Sequence, residues 1–188
     1  MPDVDLRTIV GPPIRTIATR VEPTLTESEL LEIERTYRAE YDADGWRETV
    51  LFDGVVETLC ILRQKGFDRL LVTNKPRIPT EKIMSRLGLT DLFEEIVTRD
   101  SRAPIYRDKS EMLSELLKRR SLKPESATMV GDTVEDADAA VSNGLRFFYA
   151  VYGYGNVASP QYPITTVSGI LPLVSEREIQ MKDRTTSA

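Results

Sequence analysis

The feature that most constrains this chain is the alternation, from Phe67 onward, of short apolar runs with amphipathic segments. Such alternation is typical of βαβ units, in which helices connect parallel strands and cover the faces of the sheet. The runs predicted to be strands are residues 69–72, 95–98, 127–130 and 147–151. The sequence therefore predicts the α/β class with a Rossmann-like parallel sheet.

Helix signals lie between and before these runs. Residues 82–87 and 135–142 are predicted helices, and an amphipathic segment at 55–62 leads into the first strand. Asp108 and Glu111 have the spacing of a capping box and stand before an apolar helical face. These helices supply the connections that a parallel sheet requires.

The first fifty residues contain helical periodicity and no convincing strand. Thr26 and Glu29 form a second capping-box pattern, which predicts a helix after residue 26. The run of Gly and Pro at 11–13 should divide residues 6–17 into two helical pieces. The polar segment 175–188 is predicted to fray.

Composition excludes several classes of function. The net charge of −5 argues against nucleic acid as a partner, because phosphate backbones are bound by a surplus of Lys and Arg. The single cysteine, Cys60, has no partner for an internal disulfide, and the absence of histidine removes Ser-His catalysis and most zinc sites. No signal peptide or membrane-spanning run is recognisable, so we expect a cytoplasmic protein with no membrane partner.

The strongest local motif is an apolar strand that ends in Gly131 and Asp132, with Asp136 four residues further on. Ligands of open parallel sheets gather at the carboxyl ends of the strands, where Asp132 is expected to emerge. Asp136 would stand on the first turn of the following helix. Two carboxylates there suit Mg²⁺, which prefers oxygen ligands; a turn with a helix cap is the alternative interpretation.

Two further elements belong with this motif. The first predicted strand leads into Thr73 and Asn74, whose hydroxyl and loop amides are suited to hold a phosphate, although for this short segment by itself a capped strand-to-helix turn is the more common explanation. Lys109 begins the helix that precedes the Gly-Asp strand. A single lysine is usually a solvated charge, so Lys109 gains its significance from its order in the chain.

That order resembles the second, third and fourth motifs of haloacid dehalogenase (HAD) phosphatases, here Thr73, Lys109 and the pair Asp132 and Asp136. The closer resemblance is to phosphoglycolate phosphatases. The segments similar to theirs are residues 9–14 in the cap, 71–76 around the second motif and 153–155 after the last core strand.

The resemblance implies a partial helical cap at 1–50, a HAD-like core at 51–175 that lacks its first strand, and a polar tail at 176–188. It further implies a Mg²⁺-dependent phosphomonoesterase that works through an aspartyl phosphate. The implied substrate is a small phosphorylated metabolite, with phosphoglycolate as the family-level expectation. A homodimer stays open.

By the same resemblance, Thr73 and Lys109 are the catalytic residues present. Thr73, the amide of Asn74 and Lys109 would bind the transferring phosphoryl group. Asp132 would bind Mg²⁺, with Asp136 supporting the metal site. These roles agree with phosphoryl transfer, which depends on positioning and charge stabilisation.

The sequence departs from the family at its start, where no Asp-x-Asp-Gly-Thr precedes the cap-like segment. Asp3 and Asp5 follow too few residues to end a strand of about five residues. We therefore expect the nucleophilic aspartate to be absent, with its strand normally placed between those that end at Thr73 and Asp132. An upstream segment, direct pairing of the flanking strands about 4.8 Å apart, or a strand from a partner would compensate.

Three interpretations of function remain. The chain is part of a phosphatase, or an inactive HAD-like binding or interaction protein, or a receiver-like signalling domain, against which the cap-like start argues. The aromatic residues Tyr37, Tyr41 and Trp46 either pack the cap or select the substrate.

Overall fold

The computed structural model describes residues 14–174. The candidate acids Asp3 and Asp5, the cap-like residues 9–13 and the tail 175–188 lie outside the described residues, so the expectations placed on them stay predictions. None of the described helices is long and apolar enough to cross a membrane.

Six helices and five strands position the site. The helices are α1 (Ile14–Val21), α2 (Glu27–Ala43), α3 (Val55–Gln64), α4 (Arg77–Arg86), α5 (Lys109–Arg119) and α6 (Val134–Ser142). The strands are β1 (Leu70–Thr73), β2 (Glu95–Thr98), β3 (Thr128–Gly131), β4 (Arg146–Ala150) and β5 (Pro163–Ile164).

The strands form two separate parallel sheets. β1 pairs with β2, and β3, β4 and β5 pair in that order. The predicted α/β class with parallel strands is confirmed, but direct pairing of β1 with β3 is excluded. Among the described strands, β1 pairs only with β2 and β3 only with β4, and Val130 of β3 is 40% exposed.

Helices α5 and α6 connect the two sheets. α5 contacts β1 and β2, α6 contacts β3 and β4, and the two helices pack on each other. Val72 of β1 packs against two buried clusters, one centred on Met112 and Leu116 and the other on Leu113 and Ala140. The two sheets therefore share apolar packing against α5.

The predicted strands agree with the structure to within one residue at each end, and β5 was missed because two residues carry no periodic signal. Helix α4 begins at Arg77, five residues before its predicted start. Pro79 lies in its first turn, where a missing N–H leaves no intrahelical hydrogen bond unmade. α5 and α6 begin at Lys109 and Val134, close to the predicted positions.

The predicted helical start is confirmed for the described residues. Thr26 caps α2 in a reciprocal capping box with Glu29. The end of α2 contacts α4, where Lys82 Nζ donates to the carbonyl oxygen of Asp42 at 3.1 Å. Trp46, in the turn after α2, is buried and lies under Lys82. Trp46 therefore packs this junction.

Candidate active site at the carboxyl ends of the strands

The loops after β1 and β3 meet across the gap between the sheets. Asn74 follows β1, and its side-chain Nδ2 lies 2.9 Å from both carboxylate oxygens of Glu135 in the first turn of α6. Parallel strands place their carboxyl ends at one edge, which explains why these loops are neighbours. This edge brings together the phosphate-binding candidates and the predicted metal ligands.

The turn after β1 leaves a hydrogen-bond donor available. The backbone N–H of Lys75 donates to Thr73 Oγ1 at 3.1 Å, which folds the loop back on the strand end. Within the described residues no atom accepts a hydrogen bond from the Thr73 hydroxyl. Thr73 can therefore donate to an anion at this edge.

Lys109 stands on the first turn of α5 and reaches Asp136 on α6. The N-terminus of α5 is fixed by Asp108, whose side chain accepts from the backbone N–H of Glu111 at 2.8 Å. Glu111 does not return the bond as a capping box requires, because its carboxylate binds Arg102 and Arg107. The first half of the predicted cap is confirmed.

The ion pair between Lys109 Nζ and Asp136 Oδ1 is largely removed from solvent, with 13% and 7% of the two side chains exposed. Burial alone would raise the pKa of Asp136. The charge of Lys109, together with hydrogen bonds from Lys109 and Thr133, outweighs burial and lowers this pKa below its ordinary value. Asp136 is therefore ionised in the folded protein at neutral pH.

The second oxygen of Asp136 organises the turn after β3. Asp136 Oδ2 accepts from the Thr133 hydroxyl at 2.7 Å and from the backbone N–H groups of Thr133 and Asp132 at 3.1 and 3.2 Å. A Cβ on Gly131 would lie 2.4 Å from the Asp136 Cβ. The glycine in the Gly-Asp motif is thus required by the close approach of Asp136.

Asp132 is held by the loop after β4. Its Oδ2 accepts from the backbone N–H groups of Tyr154 and Gly155 at 2.7 and 3.1 Å. A Cβ on Gly153 would lie 2.2 Å from the Asp132 Cβ. The loop glycines therefore let the backbone close around this carboxylate and fix its orientation.

The two predicted metal ligands differ in how they are engaged. Asp132 Oδ1 takes no hydrogen bond from the described residues, so this oxygen fits a cation. Both oxygens of Asp136 are occupied, by Lys109 and by the turn at Thr133. Across residues 14–174 no cluster of three or more acidic, Cys or His side chains is arranged to hold a metal. The metal roles stay predictions, with Asp132 as the direct ligand and Asp136 supporting it.

Two participants, Glu135 and Lys75, were not singled out from the sequence. Glu135 bonds Asn74, and Lys75 Nζ donates to the hydroxyl of Tyr41 on α2 at 2.5 Å. Their positions beside Asp136 and two residues after Thr73 are the sequence signal that could have found them. Tyr41 was expected either to pack the cap or to select the substrate, but its bond to Lys75 was not predictable because it depends on how α2 lies against the core.

The comparison with protein families decides the affiliation of the chain. The family model described as haloacid dehalogenase-like hydrolase matches residues 1–150. The chain belongs to this family. The resemblance to HAD phosphatases is thereby confirmed, while the roles of individual residues stay predictions.

Among individual relatives, the chain is 32% identical over 171 residues to the tyrosine-protein kinase PtkA of Mycobacterium tuberculosis, covering 89% of this chain and 56% of the kinase. It is 27% identical over 159 residues to a phosphoglycolate phosphatase of Vibrio vulnificus, covering 82% of this chain and 69% of the relative. The chain thus spans little more than half the length of the kinase.

Solved structures of HAD proteins share the fold. A predicted phosphatase from Clostridium acetobutylicum superposes with a TM-score of 0.81 at 24% identity, covering 91% of this chain and 81% of the other. The structure of Mycobacterium tuberculosis PtkA superposes with a TM-score of 0.74 at 30% identity, covering 90% and 81%. The described architecture is therefore the HAD fold.

Proposed function

We propose that the protein is a Mg²⁺-dependent phosphomonoesterase that acts on a small phosphorylated metabolite of the phosphoglycolate type. The observation that carries the proposal is the meeting of Lys109 with Asp136 and of Asn74 with Glu135 at one sheet edge. These contacts bring together the loop after β1, the start of α5 and the start of α6. The likeness to phosphoglycolate phosphatases supports the same activity.

The proposed site holds the phosphoryl group with neutral and charged donors. The Thr73 hydroxyl and the backbone amide of Asn74 would donate to its oxygens. Lys109 donates one of its three ammonium N–H groups to Asp136, which leaves two that can donate to the phosphate. Asp136 would thereby keep the lysine oriented, since preorganised donors contribute most to phosphoryl transfer.

Asp132 is the proposed ligand of Mg²⁺ through its Oδ1. The amides of Tyr154 and Gly155 fix the other oxygen, so the free one keeps a constant direction. Mg²⁺ would neutralise charge on the phosphoryl oxygens and usually retains several waters, so a single strong carboxylate ligand is compatible with it.

The attacking aspartate is proposed to end a strand that lies between β1 and β3. The side of β1 on which no described strand pairs, together with the 40% exposure of Val130, supports an additional strand at this place. A carboxylate at its end would attack phosphorus while a second aspartate two residues later, as the resemblance implies, gives its proton to the leaving oxygen, so that the alcohol departs. Water would then hydrolyse the aspartyl phosphate. An upstream segment of the same polypeptide is the proposed source.

The proposal is tested on the native protein after its intact mass has been measured. Phosphate release from phosphoglycolate is followed with and without Mg²⁺, and Lys109→Met is compared with the unchanged protein. We expect residues ahead of Met1 in the native mass, Mg²⁺-dependent release, and a loss of at least about a hundredfold in Lys109→Met.

Two outcomes contradict the proposal in different ways. A native protein that begins at Met1 and releases no phosphate would favour an inactive binding or interaction protein. Release of phosphate by residues 1–188 alone would place the nucleophile within the chain and would overturn the inserted strand, not the phosphatase. Fractionation of the cells that produce the protein tests the expected cytoplasmic location.

The likeness to a tyrosine-protein kinase favours a second candidate function, phosphoryl transfer to a protein hydroxyl. Incubation with γ-labelled ATP distinguishes the two. Label on tyrosine that is stable to acid and dependent on Lys109 would support the kinase, whereas release of free phosphate from phosphoglycolate supports the phosphatase.

A further inference from the structure

The loop between β2 and α5 contains an arginine that bridges two carboxylates of α5. Arg102 Nη2 donates to Glu111 Oε1 at 2.7 Å, and its Nη1 donates to Glu115 Oε2 at 2.5 Å. These glutamates are four residues apart on one face of the helix, where two like charges repel each other. One planar guanidinium between them replaces that repulsion with two charge-assisted hydrogen bonds.

The guanidinium of Arg102 is itself held by Tyr106. Its Cζ lies 4.1 Å from the centre of the Tyr106 ring, and Tyr106 is 1% exposed. The Tyr106 hydroxyl donates to the second oxygen of Glu115 at 2.6 Å. Because burial raises the pKa of Tyr106, the hydroxyl keeps the proton that it donates. A buried ring and two carboxylates thus fix the arginine in one orientation.

The two glutamates lie on the opposite side of α5 from Lys109. Lys109 precedes Glu111 by two residues, which places the two side chains about 200° apart around the helix. Lys109 contacts Asp136 on α6, whereas Glu111 and Glu115 are held by Arg102 in the loop before the helix. The contacts of Arg102 therefore set the rotation of the first turn of α5, and with it the direction of the lysine.

The cap of this turn is local and moves together with the helix. Asp108 accepts from the backbone N–H of Glu111 at 2.8 Å, over only three residues. Arg102, by contrast, is nine residues from Glu111 in the sequence. It directly follows Ser101, whose Oγ accepts from the backbone N–H of Thr98, the last residue of β2, at 2.8 Å. Arg102 therefore connects the first turn of α5 to the sheet.

We propose that Arg102 is a positioning residue that directs the ammonium of Lys109 toward the transferring phosphoryl group. In this role Arg102 acts through α5 and contacts neither the phosphate nor the metal. The inference rests on the proposed phosphatase function and deepens it, because it identifies what holds the cation of the site in place. Small displacements of a catalytic group lower the rate strongly, so the loss of Arg102 should affect turnover more than folding.

A mutant cycle with Lys109 tests the inference. The kcat and KM for phosphoglycolate are measured with Mg²⁺ in the native protein, in Arg102→Met, in Lys109→Met and in the double variant. We expect Arg102→Met to lower kcat by about 10–100-fold when Lys109 is present, with a smaller change in KM. When Lys109 is already methionine, the same substitution should lower kcat by less than about twofold, because the residue through which Arg102 acts is gone.

Arg119→Met is the matched control. Arg119 also donates to Glu115, at 3.3 Å, but it stands in the last turn of α5 and so does not fix the first turn. We expect both arginine variants to lower the urea midpoint and only Arg102→Met to lower kcat. Glu115→Gln is a milder second variant that keeps the shape of the side chain. It should lower kcat less than Arg102→Met does, and again only when Lys109 is present.

Two results would overturn the role of Arg102 and leave the phosphatase proposal standing. One is an equal fall of kcat in Arg102→Met with and without Lys109, and the other is an equal fall of kcat in Arg119→Met. Either result would mean that Arg102 only stabilises the fold.

Failure of the proposed function is seen separately, as an absence of phosphate release in the native protein. The same four proteins are then compared by calorimetric binding of inorganic phosphate, which needs no turnover. Arg102→Met should weaken this binding about tenfold, and only when Lys109 is present. Equal phosphate binding in all four proteins would overturn the positioning role as well.

Discussion

Asn74 and Glu135 are 61 residues apart in the sequence, yet the amide of one donates to both carboxylate oxygens of the other at 2.9 Å. The contact spans two strands that share no hydrogen bonds. A side-chain hydrogen bond thus connects the two sheets here, whereas neighbouring strands of a continuous sheet are connected by backbone hydrogen bonds.

This contact should contribute measurably to stability. Asn74→Ala and Glu135→Ala, singly and together, form a double-mutant cycle whose coupling we expect to be about 1–2 kcal/mol, because a charged acceptor strengthens the hydrogen bond. Urea denaturation provides the free energies of unfolding. Strictly additive single losses would mean that the bond does not form in solution.

Asp136→Asn should destabilise the protein by about 3–5 kcal/mol at neutral pH, because it leaves the ammonium of Lys109 buried without its counter-ion. The folded-state pKa of Asp136 is lowered, so its contribution is complete above its unfolded pKa of about 3.8 and is lost as the pH falls through the folded value. The difference in the free energy of unfolding between Asp136→Asn and the unchanged protein should therefore become smaller only at acidic pH.

The measurement is the urea midpoint of both proteins between about pH 7 and pH 3. We expect the difference between the two urea midpoints to be constant down to about pH 4 and to be smaller below that pH. A difference that already narrows near neutral pH would show that Asp136 does not carry a lowered pKa.

Mg²⁺ should raise the thermal midpoint of the protein if Asp132 binds it. At a free concentration one hundred times the dissociation constant, the added stability is about 2.7 kcal/mol. Asp132→Asn should lose this response, and EDTA should reverse it in the unchanged protein. Asp138→Asn is the matched control, because Asp138 is an exposed residue on α6, the helix that follows Asp132. An equal rise of the thermal midpoint with Mg²⁺ in Asp132→Asn would mean that the metal binds at another place.

Gly153→Ala should impair the same response without removing a charged group. The added methyl would meet Asp132 Cβ at 2.2 Å, so the loop or the carboxylate must move, at about 1–3 kcal/mol. Gly169→Ala is the control, since its nearest neighbour, Ile164 Cβ, lies at 3.4 Å. The Mg²⁺-dependent rise in midpoint, measured for both, should fall only in Gly153→Ala.

The pairing of the described strands predicts an amide-exchange pattern. In residues 1–188, the amides of β1, which among the described strands pairs only with β2, should exchange faster than those of β4, which lies between β3 and β5. In a longer native protein with a strand beside β1, the amides of β1 should become as protected as those of β4. Equal protection in the shorter chain would mean that something within it already covers this side of β1.

Much of this fold follows from local signals. The capping box of Thr26 and Glu29 and the cap at Asp108 were recognisable because their partners lie three residues away. The strands were recognisable from apolar runs bounded by polar turns. The start of α4 at Arg77 was missed because Pro79 reads as a breaker, although a first-turn proline is tolerated.

The site was predictable in its members but not in its connections. Lys109 and Asp136 were both expected at the site, whereas the ion pair between them depends on the packing of α5 against α6. The bond between Lys75 and Tyr41 depends in the same way on where α2 lies. Spacing along the chain contains no information about such contacts between distant elements.

The shared packing of Val72 against both clusters on α5 bears on how the chain unfolds. A parallel sheet normally unfolds cooperatively because backbone hydrogen bonds connect all of its strands. Here the two sheets are connected through α5 and a few side chains. Weakening that helix, for example with Leu116→Ala, should split a single denaturation transition into two. A strand that filled the gap would restore one transition.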